Sequence, residues 1–203
     1  MVCNKRTTGF GLSASLFTLL IAWTCQADDW LTYRHDPTRS GVSTDAIDVE
    51  GLGEQWTWKS AAAPASAWSG PAKWDAYAGI RGLRSMRNYD PAFALIATTT
   101  RVFFGSSADD SVRCLDLATG KVLWTFTSGG AIRIAPCFSY GKVYFGSDDG
   151  YAYCLDAETG ALVWKRDPLS LSGAREGKDD GAQRLIINNQ RAIPFWPIRS
   201  GVS

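Results

Sequence analysis

The chain has 203 residues, 45% hydrophobic and 20% charged, and 21 Lys+Arg against 20 Asp+Glu leave a net charge near +1. These are globular values, and they exclude a disordered chain, a polybasic nucleic-acid binder and an acidic tail. The single histidine, His35, leaves no second imidazole for a multi-histidine metal site or a ready triad.

In chain order, residues 1–27 read as an export signal. Lys5 and Arg6 precede a mostly apolar run from Phe10 to Trp23, and Cys25-Gln26-Ala27 gives a small-x-small cleavage pattern before Asp28-Asp29. The run is about 14 residues, short of the ~20 that span a bilayer, so no transmembrane span is expected after cleavage. The mature chain is expected outside the cytoplasm, in the periplasm or beyond. An uncleaved anchor and a lipoprotein modified at Cys25 are the alternatives; the first conflicts with the run length and the second with Trp23. Cleavage leaves Cys114, Cys137 and Cys154, an odd number without CxxC or CxxCH spacing. They read as small buried strand residues, not as a disulfide framework.

Residues 28–88 form an N-terminal segment that does not repeat. Within it Gly53-Glu-Gln-Trp56-Thr-Trp58 matches Val122-Leu-Trp124-Thr-Phe126 and reads as an outer strand at 53–58, followed by a long loop. The loop carries Arg81, Arg84 and Arg87 at three-residue spacing, either a solvated basic face or an anion site on a helical turn.

The strongest signal is internal. Arg101-Val-Phe-Phe-Gly-Ser106 is echoed by Lys142-Val-Tyr-Phe-Gly-Ser147, and Cys114-Leu-Asp through Trp124 by Cys154-Leu-Asp through Trp164. A period of about 40 residues made of short alternating strands predicts propeller blades of four antiparallel strands, here 89–128 and 129–168. In the clearer unit the predicted parts are an innermost strand Ala131–Ser139, a turn at Tyr140-Gly141, a strand Lys142–Gly146, and a two-residue hairpin at Asp149-Gly150. A strand Tyr151–Asp156, a turn at Glu158-Thr159-Gly160 and an outer strand Ala161–Lys165 complete it. Residues 169–203 read as an inserted loop and the start of a further blade, because Pro197-Ile-Arg199 matches Ala131-Ile-Arg133.

The repeat singles out six residues with structural roles: Asp116, Gly120 and Trp124, and Asp156, Gly160 and Trp164. The aspartates stand where a carboxylate accepts N–H groups inside a Thr-Gly turn, with a catalytic or calcium role as the alternative. The tryptophans read as packing between blades. Arg133 and Arg199 open innermost strands, which line a propeller's central channel. They face either an acidic ligand or a carboxylate or carbonyl of a neighbouring blade.

The pattern Leu-Asp-x-x-Thr-Gly-Lys-x-x-Trp, spanning 115–124 and nearly repeated at 155–164, resembles the tryptophan-docking repeat of pyrroloquinoline-quinone (PQQ) type β-propellers. That family includes quinoprotein dehydrogenases and BamB-like assembly factors. The resemblance implies an all-β propeller, closed by an N-terminal strand into a ring of roughly seven or eight blades. The chain is therefore read as the N-terminal part of a longer propeller, with self-assembly through open strand edges as the alternative. Two functions follow from the resemblance. One is a non-catalytic scaffold for a protein or carbohydrate partner. The other is a PQQ-dependent alcohol or sugar dehydrogenase with calcium, a stacking tryptophan and an adjacent-cysteine disulfide. The chain has no adjacent cysteines, and no residue of it matches a catalytic base or metal ligand of that family, so no catalytic or metal residue is assigned. A WD-type propeller lacks support, since no Gly-His…Trp-Asp pattern is present.

Overall fold

The structure, a computed structural model, describes residues 28–46, 49–65, 93–168 and 197–198, together with the backbone of two strands at 185–188 and 191–194. The expected export signal, Arg81, Arg84, Arg87 and Arg199 lie outside the described residues.

Two antiparallel four-stranded sheets form the body. Blade 1 is β1 (Leu95–Ala97), β2 (Arg101–Ser106), β3 (Ser111–Asp116) and β4 (Val122–Thr127), in that spatial order. Blade 2 is β5 (Cys137–Ser139), β6 (Lys142–Gly146), β7 (Ala152–Asp156) and β8 (Leu162–Arg166), again in order. The ladders correspond residue for residue, down to a register shift after Cys114 in one and after Cys154 in the other. The chain is all-β and bladed, as its period predicts.

Burial explains the strand sequences. The middle strands are covered on both faces, so Val102, Phe103 and Phe104 are all buried in β2, where a one-sided sheet would alternate. One core cluster lies between the blades and joins Phe103, Val112 and Cys114 to Ile132, Val143, Phe145, Tyr153 and Leu155. A second covers the far face of blade 1, where Val102, Phe104 and Leu115 pack against Trp56, Trp58 and Phe93. Blade 1 is thus sandwiched between residues 56–58 and blade 2.

The turns follow their residues. Tyr140 (φ 47°) and Gly141 (φ 71°) are both left-handed and close the β5–β6 hairpin in the two-residue form that matches strand twist. The Asp149-Gly150 expectation is corrected. Gly150 N–H bonds back to Ser147 O, and Ser147 N–H to Tyr151 O, so the loop holds three residues. Only Gly150 (φ 83°) is left-handed, which is the type I turn plus bulge that a three-residue loop adopts.

Three further expectations change. The innermost strand begins at Cys137 and not at Ala131. Residues 131–136 run across the gap between blades, where Ile132 N–H bonds to Ser106 O (3.3 Å) and Pro136 has no N–H for a ladder. Residues 53–58 form no strand; no ladder partner flanks them among the described residues, and Trp56 and Trp58 hold them by side-chain packing. The expected loop after blade 2 contains a hairpin, β9 (Leu185–Asn188) with β10 (Arg191–Pro194). Residues 28–32, meanwhile, run along the inner edges of both blades. Trp30 bridges Ala97 of β1 through paired bonds of 2.8 and 2.9 Å, and Phe138 N–H of β5 donates to Leu31 O at 2.8 Å.

Candidate functional site

The repeated residues build a docking turn. In blade 1 Asp116 Oδ1 accepts the Thr119 N–H (2.8 Å) and hydroxyl (2.7 Å); in blade 2 Asp156 Oδ1 accepts the same pair from Thr159 (3.0 and 2.9 Å). These bonds, the threonine hydroxyl's foremost, hold both carboxyls below their ordinary pKa. Each turn ends on a left-handed glycine, Gly120 (φ 68°) or Gly160 (φ 72°), over which an indole lies flat. A Cβ on Gly120 would stand 2.5 Å from the Trp56 ring, and one on Gly160 2.6 Å from the Trp124 ring. Each indole N–H then reaches the turn's own carbonyl: Trp56 Nε1 to Leu117 O at 2.8 Å and Trp124 Nε1 to Ala157 O at 3.0 Å. The docking tryptophans are half-buried, not enclosed, with one face on the turn. Trp164 packs against Tyr144 of its own blade.

Arg133 lies inside the molecule. Its Nε donates to Asp148 Oδ2 at 2.7 Å and its Nη1 to Ala65 O at 2.5 Å, and both partners of the ion pair are nearly enclosed, at 8% and 4% side-chain exposure. Arg133 therefore ties the connection between blades to the β6–β7 loop and to the N-terminal segment. The matching Pro197-Ile198 takes up on blade 2 the place that Ala131-Ile132 has on blade 1. Ile198 N–H bonds to Ser147 O (3.1 Å), and its side chain lies over Gly146 as that of Ile132 lies over Gly105.

A cleft of about 770 Å³ opens between the N-terminal segment and the β5–β6 hairpin, within the size range of ligand sites. Asp28, Asp29, His35 and Asp36 form one wall, and Phe138, Tyr140 and Tyr144 the other. His35 Nε2 lies 2.9 Å from Asp28 Oδ2, and Trp30 meets the imidazole edge-on at 5.0 Å. Asp36 is held far below the usual carboxylate range, first by the Ser40 hydroxyl, then by Thr38 and the Ser40 N–H. Burial pushes the Cys137 thiol on the same cleft upward, against the Thr32 hydroxyl. The arrangement can hold a polar or cationic group against an aromatic floor. Sequence reasoning missed it because its walls lie about a hundred residues apart and neither carries a motif.

Cys114 and Cys154 are buried and Cys137 half-buried, and all three are free thiols. Burial raises Cys114 to about 11, so it is not a nucleophile at neutral pH. Among the described residues no three His, Cys, Asp or Glu side chains gather to hold a metal ion. The repeat's aspartates are bonded to their own turns and its docked tryptophans lie on glycines. The described residues therefore do not form a seat for a quinone with calcium.

Comparison with known proteins places the chain. Residues 53–183, more than half of it, match the family model described as outer membrane protein assembly factor BamB. The quinone-dependent alcohol dehydrogenase subunits of Gluconacetobacter polyoxogenes and Gluconobacter oxydans (strain 621H) are 33% and 34% identical over 99 residues, covering 41% of this chain and 13% of theirs. BamB from Moraxella catarrhalis is 24% identical, with a TM-score of 0.31 over 33% of this chain and 20% of its own. Quinohemoprotein alcohol dehydrogenase from Comamonas testosteroni is 21% identical, with a TM-score of 0.47 over 82% and 22%. The chain spans about an eighth of the length of the curated relatives it matches. With two copies of the Asp–Thr–Gly turn, a tryptophan docked on each, and the family match running through both, the chain belongs to the BamB family of PQQ-type propeller repeats.

Proposed function

We propose that this chain is part of an exported propeller that acts as a non-catalytic binding or assembly scaffold for a protein partner in the cell envelope. The observation that carries the reading is on the outer strands. β4 and β8 expose apolar residues at the same repeat positions, Val122 (38%) and Leu123 (45%) in one blade and Leu162 (49%) and Val163 (47%) in the other. Apolar side chains on successive edge strands suit addition of a partner's strand, where main-chain bonds supply affinity and side chains supply choice. The family description, an outer membrane assembly factor, points the same way. A carbohydrate partner would use the aromatic floor of the cleft, and nothing favours a nucleic acid at a net charge near +1.

A second reading, a PQQ-dependent alcohol dehydrogenase with calcium, is favoured by the identity to quinone-dependent dehydrogenase subunits. Such an enzyme's quinone seat would draw on residues other than those described here. Full-length protein purified from its native source separates the two. With saturating PQQ, calcium and an alcohol, the scaffold reading expects no quinone-dependent reduction of a dye. Dye reduction that requires the added quinone overturns it in favour of the dehydrogenase.

A further inference from the structure

Arg101 and Lys142 occupy the same repeat position, opening β2 and β6, each opposite the aspartate of its own blade (Asp116 and Asp156). Arg101 nevertheless bonds across the interface. Its Nη1 donates to Ala157 O at 2.8 Å, the carbonyl that also accepts the Trp124 indole, and its Nη2 pairs with Glu158. One turn of blade 2 thus receives an indole and a guanidinium from blade 1, and the third residue of that turn supplies the counter-charge. Among the described residues, blade 1's own turn is docked by Trp56, and it carries Ala118 where blade 2 carries Glu158. Among the described residues, the acid stands on the turn that a cation of the neighbouring blade reaches, and alanine stands on the turn that no cation of another segment reaches.

Blade 2 presents the same pair on its other side. Trp164 sits where Trp124 sits, and Lys142, half-buried, where Arg101 sits; among the described residues the Lys142 ammonium has no hydrogen bond or ion pair. We propose that Lys142, beside Trp164, makes the blade-2 face selective: it takes as neighbour a further four-stranded blade whose turn reads Asp-x-acid-Thr-Gly, and rejects turns of the blade-1 type with alanine in the third place. Charge complementarity and continuity with the Arg101–Glu158 contact carry this. A half-buried ammonium that, among the described residues, has only its own blade's Asp156 nearby gains a second carboxylate from an acidic turn and nothing from a methyl group. A second copy of this chain is therefore a poor occupant, because its acid-bearing turn is covered by its own Trp124 and its other turn has Ala118. The inference does not depend on whether the whole protein is a scaffold or a dehydrogenase.

The test uses the full chain. Trp56→Ala uncovers the blade-1 turn, and Ala118→Glu then gives that turn its acid, so that a second copy's Trp164 and Lys142 have a matching target. Sedimentation velocity is expected to show head-to-tail association about three- to tenfold tighter in the double variant than in Trp56→Ala alone. Adding Lys142→Glu should abolish the gain, and combining Lys142→Glu with Ala118→Lys should restore it. Equal association with and without Ala118→Glu, or a gain that survives Lys142→Glu, overturns the proposal. If Trp56→Ala does not fold, a cyclised peptide of sequence Leu-Asp-Ala-Glu-Thr-Gly-Ala-Leu is titrated calorimetrically into the unaltered chain. It is expected to bind several-fold tighter than its Glu-to-Lys analogue, and the preference should vanish in Lys142→Ala. No binding, or equal binding of the two peptides, overturns it as well.

Discussion

Blade 1 and blade 2 superimpose in strand order, register shift and docking turn, yet the same slot on their third strands is filled by opposite chemistry. In blade 1 it holds Arg113, paired with Asp109 and lying 5.3 Å over the Trp58 ring. In blade 2 it holds Tyr153, stacked on Phe145 at 5.0 Å, facing Phe126 of blade 1 and bonded to Asp149 at 2.5 Å. Arg113 faces Trp58 of the N-terminal segment, while Tyr153 looks into the next blade and is 2% exposed. The residues that recur build a blade, and those that differ match it to its neighbour.

The largest effect expected from breaking this arrangement lies outside the repeat, in the connection that joins the blades. Arg133→Ala removes one partner of an ion pair that is almost fully enclosed, so a loss of about 3–5 kcal/mol is expected in urea unfolding. Replacing both partners with apolar residues should recover part of it. A loss below about 1 kcal/mol for Arg133→Ala would mean that the pair is hydrated.

Next comes the docking indole. Trp124→Ala removes a ring packed on Gly160 and a bond to Ala157 O and should cost about 3 kcal/mol. Trp164→Ala, where the ring meets Tyr144 of the same blade, should cost about 1 kcal/mol. Similar values for the two would deny that docking on a neighbouring turn is what the tryptophan contributes.

How much of this was legible in the sequence depends on whether a residue recurs. The Thr-Gly that follows Asp116 and Asp156 predicts their turns, because an Asp-to-N–H bond is settled within four residues. The recurrence of Trp124 at a fixed phase predicts the blade interface, because a large ring there has one place to go. Arg133 was not settled: its two partners, Asp148 and Ala65, lie 15 and 68 residues away, and no local rule selects between them and a ligand. The apolar residues of 131–136 predict a strand, but those side chains fill the gap between blades and the backbone joins no ladder of its own. The cleft beside His35 was invisible because it forms only where residues 28–37 cross the β5–β6 hairpin.

The glycine that ends each turn sharpens the comparison further. Gly160→Ala puts a methyl group on a left-handed residue and also 2.6 Å from the Trp124 ring. Gly141 has nearly the same φ (71°) with nothing within 4 Å of its Cβ position, so Gly141→Ala reports the backbone cost alone. About 1 kcal/mol is expected for Gly141→Ala and about 2–3 kcal/mol for Gly160→Ala. The difference measures what the indole contributes, and equal values would mean that the ring moves aside freely.

Tyr153 carries the smallest expected change at neutral pH and the clearest dependence on pH. Burial first, and then its bond to the Asp149 carboxylate, push its hydroxyl up to about 12 from 10.0. Lys165 lies 3.9 Å from the Tyr151 ring centroid and 3.4 Å from Asp149. Burial opposes its charge, but Tyr153 and Asp149 together outweigh that and raise its pKa. The folded chain keeps the Tyr153 proton where the unfolded chain has lost it. The stabilisation is therefore complete below pH 10 and disappears as pH rises from 10 to about 12. Cys114, raised from 9.0 to about 11 chiefly by burial, adds a loss of the same sign that begins one unit lower. Tyr153→Phe should cost about 1 kcal/mol at pH 7, where only the hydrogen bond is removed. Between pH 10 and 12 its unfolding free energy should fall less steeply than that of the unaltered chain, leaving the Cys114 limb between pH 9 and 11 in place. In the same slot of blade 1, Arg113→Gln puts in a side chain with no proton to lose between pH 10 and 12, so it should leave that slope unchanged. If Tyr153→Phe and Arg113→Gln have the same alkaline profile, the Tyr153–Asp149 contact is not what distinguishes the two blades.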